Sequence, residues 1–211
     1  MLFPTINLLG IAFLFGLFHA LEADHVVAVG ALVSETKSVK RSSLLGVLWG
    51  LGHTAIMLVV GAALLIARYA FPPGLTKFFE FSVGAMLIIL GVSVVRRTLK
   101  DYSHGNSHRH DNASPHHHGR RSFIVGMMHG LAGTGTLVVL ALASASSIFQ
   151  GVLFMAVFGA GLIIGMALVT VAVSAPLHFF SSRWEKLHTV IPMLTGVLAI
   201  LFGISIVFAN L

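Results

Sequence analysis

Six long apolar runs dominate the chain. They fall at about 5–33, 43–67, 76–95, 122–144, 149–176 and 189–209, and a helix that crosses a bilayer needs about 20 mainly apolar residues. The first run is longer than a crossing requires, and it carries Glu22 and Asp24. The second contains no Asp, Glu, Lys or Arg. Nothing charged stands between Arg121 and Arg183, a stretch too long for one helix, and the polar Ser144-Ala145-Ser146-Ser147 divides it in two. Membrane barrel strands would be short alternating segments. The predicted fold is therefore an all-α membrane protein with six transmembrane helices.

Composition supports this pattern. Of the 211 residues, 56% are hydrophobic and 9% charged, against about 25% charged in ordinary soluble domains. A soluble globular enzyme and a disordered chain are both excluded. The chain has no cysteine, so structural disulfides, thiolate metal sites and a membrane dithiol relay are excluded too. The net charge of +6 does not predict a nucleic-acid partner, because the bases sit between the apolar runs, where they orient a chain in the bilayer. Eleven of the thirteen Lys and Arg residues follow runs one, three and five, and two follow run two. The expectation is a multi-pass protein of the inner (cytoplasmic) membrane, with both termini outside and the segment 96–121 in the cytoplasm. No basic residue precedes the first apolar run, so it does not resemble a cleavable signal peptide.

The two halves match weakly but in order. Gly16-Leu-Phe-His19 corresponds to Gly126-Met-Met-His129, Trp49-Gly50-Leu51-Gly52 to Phe158-Gly159-Ala160-Gly161, and Gly84 and Gly91 to Gly196 and Gly203. With three spans each, the halves would have opposite topology, the inverted arrangement common in secondary transporters. The expected organisation is a first three-helix repeat at 1–95, a His-rich cytoplasmic loop at 96–121 and a second three-helix repeat at 122–211.

Ionisable groups at bilayer depth are costly, at least about 2.5–3.5 kcal/mol each, and need partners. The first run carries His19, Glu22, Asp24 and His25 within seven residues. On a regular helix, His19, Glu22 and His25 would share one broad face. Asp24 would point elsewhere, so either the helix unwinds there or Asp24 orients an imidazole. His53 lies mid-way along the second run, and His129 stands at the repeat position of His19. Imidazoles with carboxylates form a ligand set for nickel, cobalt, zinc or copper(II). An interhelical ion-pair network or a proton relay would use the same residues. The glycine-rich Gly130-Leu-Ala-Gly133-Thr134-Gly135-Thr136 predicts a helix break near the site. Between runs three and four lie His104, His108, His110, His116, His117 and His118. They form a His-rich tract of the kind that binds metal, or else a solvated linker that does so incidentally.

His19-Ala-Leu-Glu-Ala-Asp24-His25 resembles the His-x4-Asp-His signature of the nickel/cobalt transporter family, and Leu51-Gly52-His53-Thr54 resembles that family's second motif. His129-Gly-Leu-Ala-Gly resembles its short urease-accessory-like branch. The resemblance implies metal recognition by His19, Asp24, His25 and His53, with Glu22 where the family often has Asp. The expected function is transport of Ni2+ or Co2+ as substrate, with no resident cofactor, by a secondary-type permease working in uptake, with a cytoplasmic metallochaperone as soluble partner. A nickel/cobalt exporter, and a non-transporting accessory protein that donates metal for urease or hydrogenase maturation, are the alternatives. No enzyme is expected, since no nucleophile signature accompanies the acids. No phosphate-binding Gly-x4-Gly-Lys loop is present.

Overall fold

The computed structural model describes residues 2–33, 36, 38–69, 72–103, 115–180 and 187–211. They form seven helices, and no strand occurs among the described residues. These are α1 (Leu2–His19), α2 (Ala23–Val33), α3 (Val39–Ala67), α4 (Pro73–Ser103), α5 (Pro115–Ser144), α6 (Ile148–Phe180) and α7 (Leu187–Ala209). Helices α3 to α7 are each long and apolar enough to cross a membrane alone. Helices α1 and α2 are bent by 53° at a short break and count as a sixth span only when taken together. The chain is a multi-pass membrane protein.

The structure differs from the sequence pattern in three places. The first span is two helices, so no single helical face carries His19, Glu22 and His25. The predicted break at residues 130–136 is absent, and α5 runs through it. Thr134 there donates its hydroxyl to the carbonyl of Gly130 at 2.5 Å within the continuing helix. The glycines serve packing instead: a Cβ on Gly130 would meet the His53 backbone. Helices α4 and α5 also extend beyond their apolar cores, into the predicted loop 96–121. A hydropathy window measures the hydrocarbon-spanning part, whereas a helix continues into water with charged side chains such as Arg96, Lys100 and Arg120. The divide at Ser144–Ser147 stands as expected. The Gln150 N–H donates to Ser147 Oγ (3.2 Å), and the Ser146 N–H donates to Gln150 Oε1 (2.8 Å). This reciprocal arrangement starts α6.

Apolar side chains gain little by leaving lipid for protein, so membrane helices associate through close backbone contact at small residues. Four helix pairs here do so. A Cβ on Gly16 would strike the carbonyl of Phe158 (α1–α6), and one on Gly126 that of Trp49 (α3–α5). Gly52 lies against Phe123 O and Gly161 against Phe13 O. Gly50 faces Ile163, as Gly159 faces Thr54, between α3 and α6. Gly84 and Gly203 meet between α4 and α7, as do Gly91 and Gly196. Large side chains such as Val59, Phe78 and Ile89 point outward, as a lipid-facing surface requires.

Candidate metal centre

The break between α1 and α2 builds the site. In a continuous helix His19 and His25 would be separated by six residues, about 9 Å of rise. Here α1 ends at His19, the chain turns through Leu21 N–H to Phe18 O (2.9 Å) and Glu22 N–H to His19 O (3.1 Å), and α2 starts at Ala23. The two imidazole centroids are consequently 4.6 Å apart. The turn also puts Asp24 in the first turn of α2, where its carboxylate accepts the His25 N–H at 2.8 Å. A negative charge is favourable at a helix N-terminus.

The other two histidines come from the midpoints of long helices. His53 on α3 lies 5.5 Å from both His19 and His25, centroid to centroid. His129 on α5 lies 5.2 Å from His25. Two aromatic rings wall the cluster. Trp49, one turn before His53, stands 4.7 Å from His25 and 5.1 Å from His129, and Phe158 stands 5.4 Å from His19.

The hydrogen bonds orient the rings. His19 donates Nδ1–H to Glu22 Oε1, and His25 donates Nδ1–H to Asp24 Oδ1, each at 2.7 Å. A carboxylate on Nδ1 leaves Nε2 as the free lone pair, the usual outer support of a metal-binding histidine. His129 donates Nδ1–H to Val125 O at 3.3 Å, and its Nε2 faces Asp24 Oδ2 at 4.0 Å. Among the described residues, His19 Nε2, His25 Nε2, both His53 nitrogens and His129 Nε2 are buried without a partner. Each such atom costs about 1–3 kcal/mol when left unsatisfied, so a concentration of them in one place calls for a ligand.

Two overlapping sets could hold a cation. His19, His25 and His53 each offer a nitrogen, all within 4.8 Å of one another, and Glu22, Asp24 and His25 form a second set of the same span. The residues singled out in the sequence around α1–α3 thus come together. His129 is adjacent but belongs to neither set. His104, His108 and His110 lie outside the described residues, as do the side chains of His116, His117 and His118.

A cavity of about 740 Å³ opens beside the cluster, with His19, Asp24, His25 and His129 in its lining. Glu80 of α4 also lines it, and sequence reasoning passed this residue over. Its only signal was an acid close to the end of an apolar run. Trp49 was noticed only as part of a repeat and not as a wall of the site.

Residues 52–205 match the family described as cytochrome C biogenesis protein transmembrane region. Over 209 residues the chain is 32% identical to the urease accessory protein UreH of Bacillus sp. (strain TB-90), a match covering 96% of this chain and 91% of that protein. The chain belongs to this transmembrane family and to the family of UreH. A proposed nickel/cobalt efflux system of Methanocaldococcus jannaschii, MJ1092, is 25% identical over 199 residues, covering 92% of this chain and 88% of its own length. Chloroplast protein FOR GROWTH AND FERTILITY 1 of Arabidopsis thaliana is 24% identical over 93% of this chain and 58% of its own length. No solved structure matches the chain significantly. The family-model match begins at Gly52, beyond α1 and α2, whereas the likeness to UreH covers 96% of the chain.

Proposed function

We propose that the chain is a secondary-type permease carrying a divalent transition-metal ion, nickel first and cobalt second, into the cell across the inner membrane. The observation that carries this reading is the set of three imidazoles, His19, His25 and His53, whose nitrogens converge within 4.8 Å at the centre of the helical bundle. Metal–imidazole bonds are about 2.0–2.1 Å long, so nitrogens sharing one ion lie within about 4.2 Å of each other. Three nitrogens on one ion at that bond length lie about 3.4–3.6 Å apart in tetrahedral or trigonal geometry, so a pair at the 4.8 Å limit of the set would close by about 1.2–1.4 Å around the ion. Asp24 and Glu22 supply negative charge, which offsets part of the cost of holding a dication in low dielectric. His129 lies next in line, beside Asp24.

Two inverted three-helix repeats, 1–95 and 122–211, form part of this proposal. The glycine contacts support them. An exchange of the halves maps Gly16–Phe158 onto Gly126–Trp49, Gly52–Phe123 onto Gly161–Phe13, and Gly84–Gly203 onto Gly196–Gly91. Both termini are placed outside, and the segment 96–121 inside, by the distribution of basic residues. In that orientation the loop histidines would receive the ion and pass it to a cytoplasmic metallochaperone.

The names of the relatives favour two further readings. MJ1092's name favours export, and UreH's favours metal donation to an enzyme's maturation. The nickel content of cells producing the chain separates the three. Accumulation is expected for the permease, depletion would indicate export, and unchanged content with altered metalloenzyme loading would indicate the accessory role.

A ligating imidazole must be neutral, so protons compete with the metal. Nickel affinity should therefore fall as the solution is acidified. Equilibrium binding to the purified protein over a pH series checks this, and an affinity that stays constant down to the acid limit of the fold would argue against imidazole ligands.

A further inference from the structure

The cavity beside the histidines is larger and more acidic than ion coordination requires. Three of the chain's seven acidic residues, Glu22, Asp24 and Glu80, line it, and no lysine or arginine does among the described residues. Lys77, one turn before Glu80 on α4, is exposed and does not contribute to the lining. Glu80 has no ion-pair partner among the described residues. The lining follows α5 from His129 to Leu140, about 16 Å of helix, and α7 from Phe202 to Ala209, with Asn210 just beyond its end. The cavity therefore runs from the middle of the bundle to the end at which α5 and α7 terminate and α4 begins. At its inner end His129, only 3% exposed, presents a buried Nε2 that has no hydrogen-bond partner among the described residues.

Size separates two stations along this path. A divalent ion with an octahedral shell of six waters needs about 180 Å³ at roughly 30 Å³ per water. The cavity of about 740 Å³ accommodates it. The histidine set, with all nitrogens within 4.8 Å, accommodates only an ion that has shed water there. Carboxylates in a cleft with low-dielectric walls raise the local cation concentration, by factors of about 10–1,000 in favourable cases.

We propose that this cavity is a cation-collecting vestibule, in which Glu80 and Glu22 hold a hydrated divalent ion above the histidine cluster before it loses water. The proposal rests on the metal-permease reading for the identity of the ion. Its electrostatic content stands without any flux.

The test uses the absence of cysteine. Ser205 of α7 lines the cavity and is exposed, so Ser205→Cys places one thiol in the full-length protein. Its rates of reaction with a cationic and an anionic methanethiosulfonate of similar size report the local potential. The cationic reagent should react faster, by about tenfold at low ionic strength, and added salt should shrink the ratio. Nickel ions should slow the cationic reaction. Adding Glu80→Gln should cut the ratio several-fold, and Glu80→Asp, which keeps the charge, should preserve it. A thiol that reacts with neither reagent, or a ratio unchanged by Glu80→Gln, would overturn the vestibule. Because no transport is measured, a failed permease reading leaves these outcomes intact. Nickel that leaves the rate unchanged while the ratio responds to Glu80 would overturn the assignment of the ion alone.

Discussion

Replacing His25 by alanine should weaken nickel binding by at least about 100-fold, an expectation scaled from the 10–100-fold cost of losing even an outer hydrogen-bond partner. His25 is the residue that both candidate ligand sets share. It is 2% exposed, and its ring touches His19, Trp49, His53 and His129. Alanine removes a ligand and leaves a polar hollow that water can occupy, so the helices should persist. Circular dichroism confirms the fold, and titration with nickel measures the loss. Asp24→Asn is the graded companion. It keeps an oxygen near His25 Nδ1 but removes the charge, so affinity should fall by about 10–100-fold. Wild-type affinity in His25→Ala protein would remove the histidine cluster as the metal site and point to the loop histidines.

The second large effect concerns packing. Gly52→Val and Gly161→Val should each strongly destabilise the protein. A Cβ at either position would collide with a backbone carbonyl, Phe123 O for Gly52 and Phe13 O for Gly161. Neither obstacle is the end of a side chain that can swing away, so the helices must separate. Overpacking costs about 1–3 kcal/mol, and more when the backbone moves. For a chain of this size, 3 kcal/mol corresponds to about 6–12 °C in melting temperature. Gly10→Val is the control, since nothing lies within 4 Å of a Cβ there. Thermal melts in detergent compare the three. If Gly52→Val melts with Gly10→Val, the close α3–α5 contact is not what holds the bundle together. Similar losses at Gly52 and Gly161 are also what the proposed repeat requires.

The sequence disclosed the helices better than the break that makes the site. A hydropathy sum over 5–33 is insensitive to three residues of turn, so the run looked like one helix with charged residues on its face. The physical hint lay in Asp24. A regular helix would have directed its carboxylate away from His19 and His25; the turn instead sets Asp24 in the first turn of α2, where it accepts the His25 N–H and Nδ1–H, and brings His19 to His25. The same rule failed in the opposite direction at Gly130–Thr136. Glycines suggested a break, but between membrane helices they allow close approach, and α5 passes His53 there without interruption. The histidines of the candidate site were legible because imidazoles and carboxylates are rare and costly in apolar runs. Glu80 was not, because a single acid near a helix end has no local pattern. Only the three-dimensional arrangement of α4, α5 and α7 shows that it shares a cavity with Glu22 and Asp24.

The central claim is that the histidine cluster carries a metal ion through the membrane. Radioactive nickel flux into and out of proteoliposomes containing the purified protein tests it most directly, with His25→Ala protein measured alongside. The account predicts saturable flux in the wild type that is lost in the variant. Equal flux in the two proteins, or wild-type protein that binds nickel but does not move it, would contradict it.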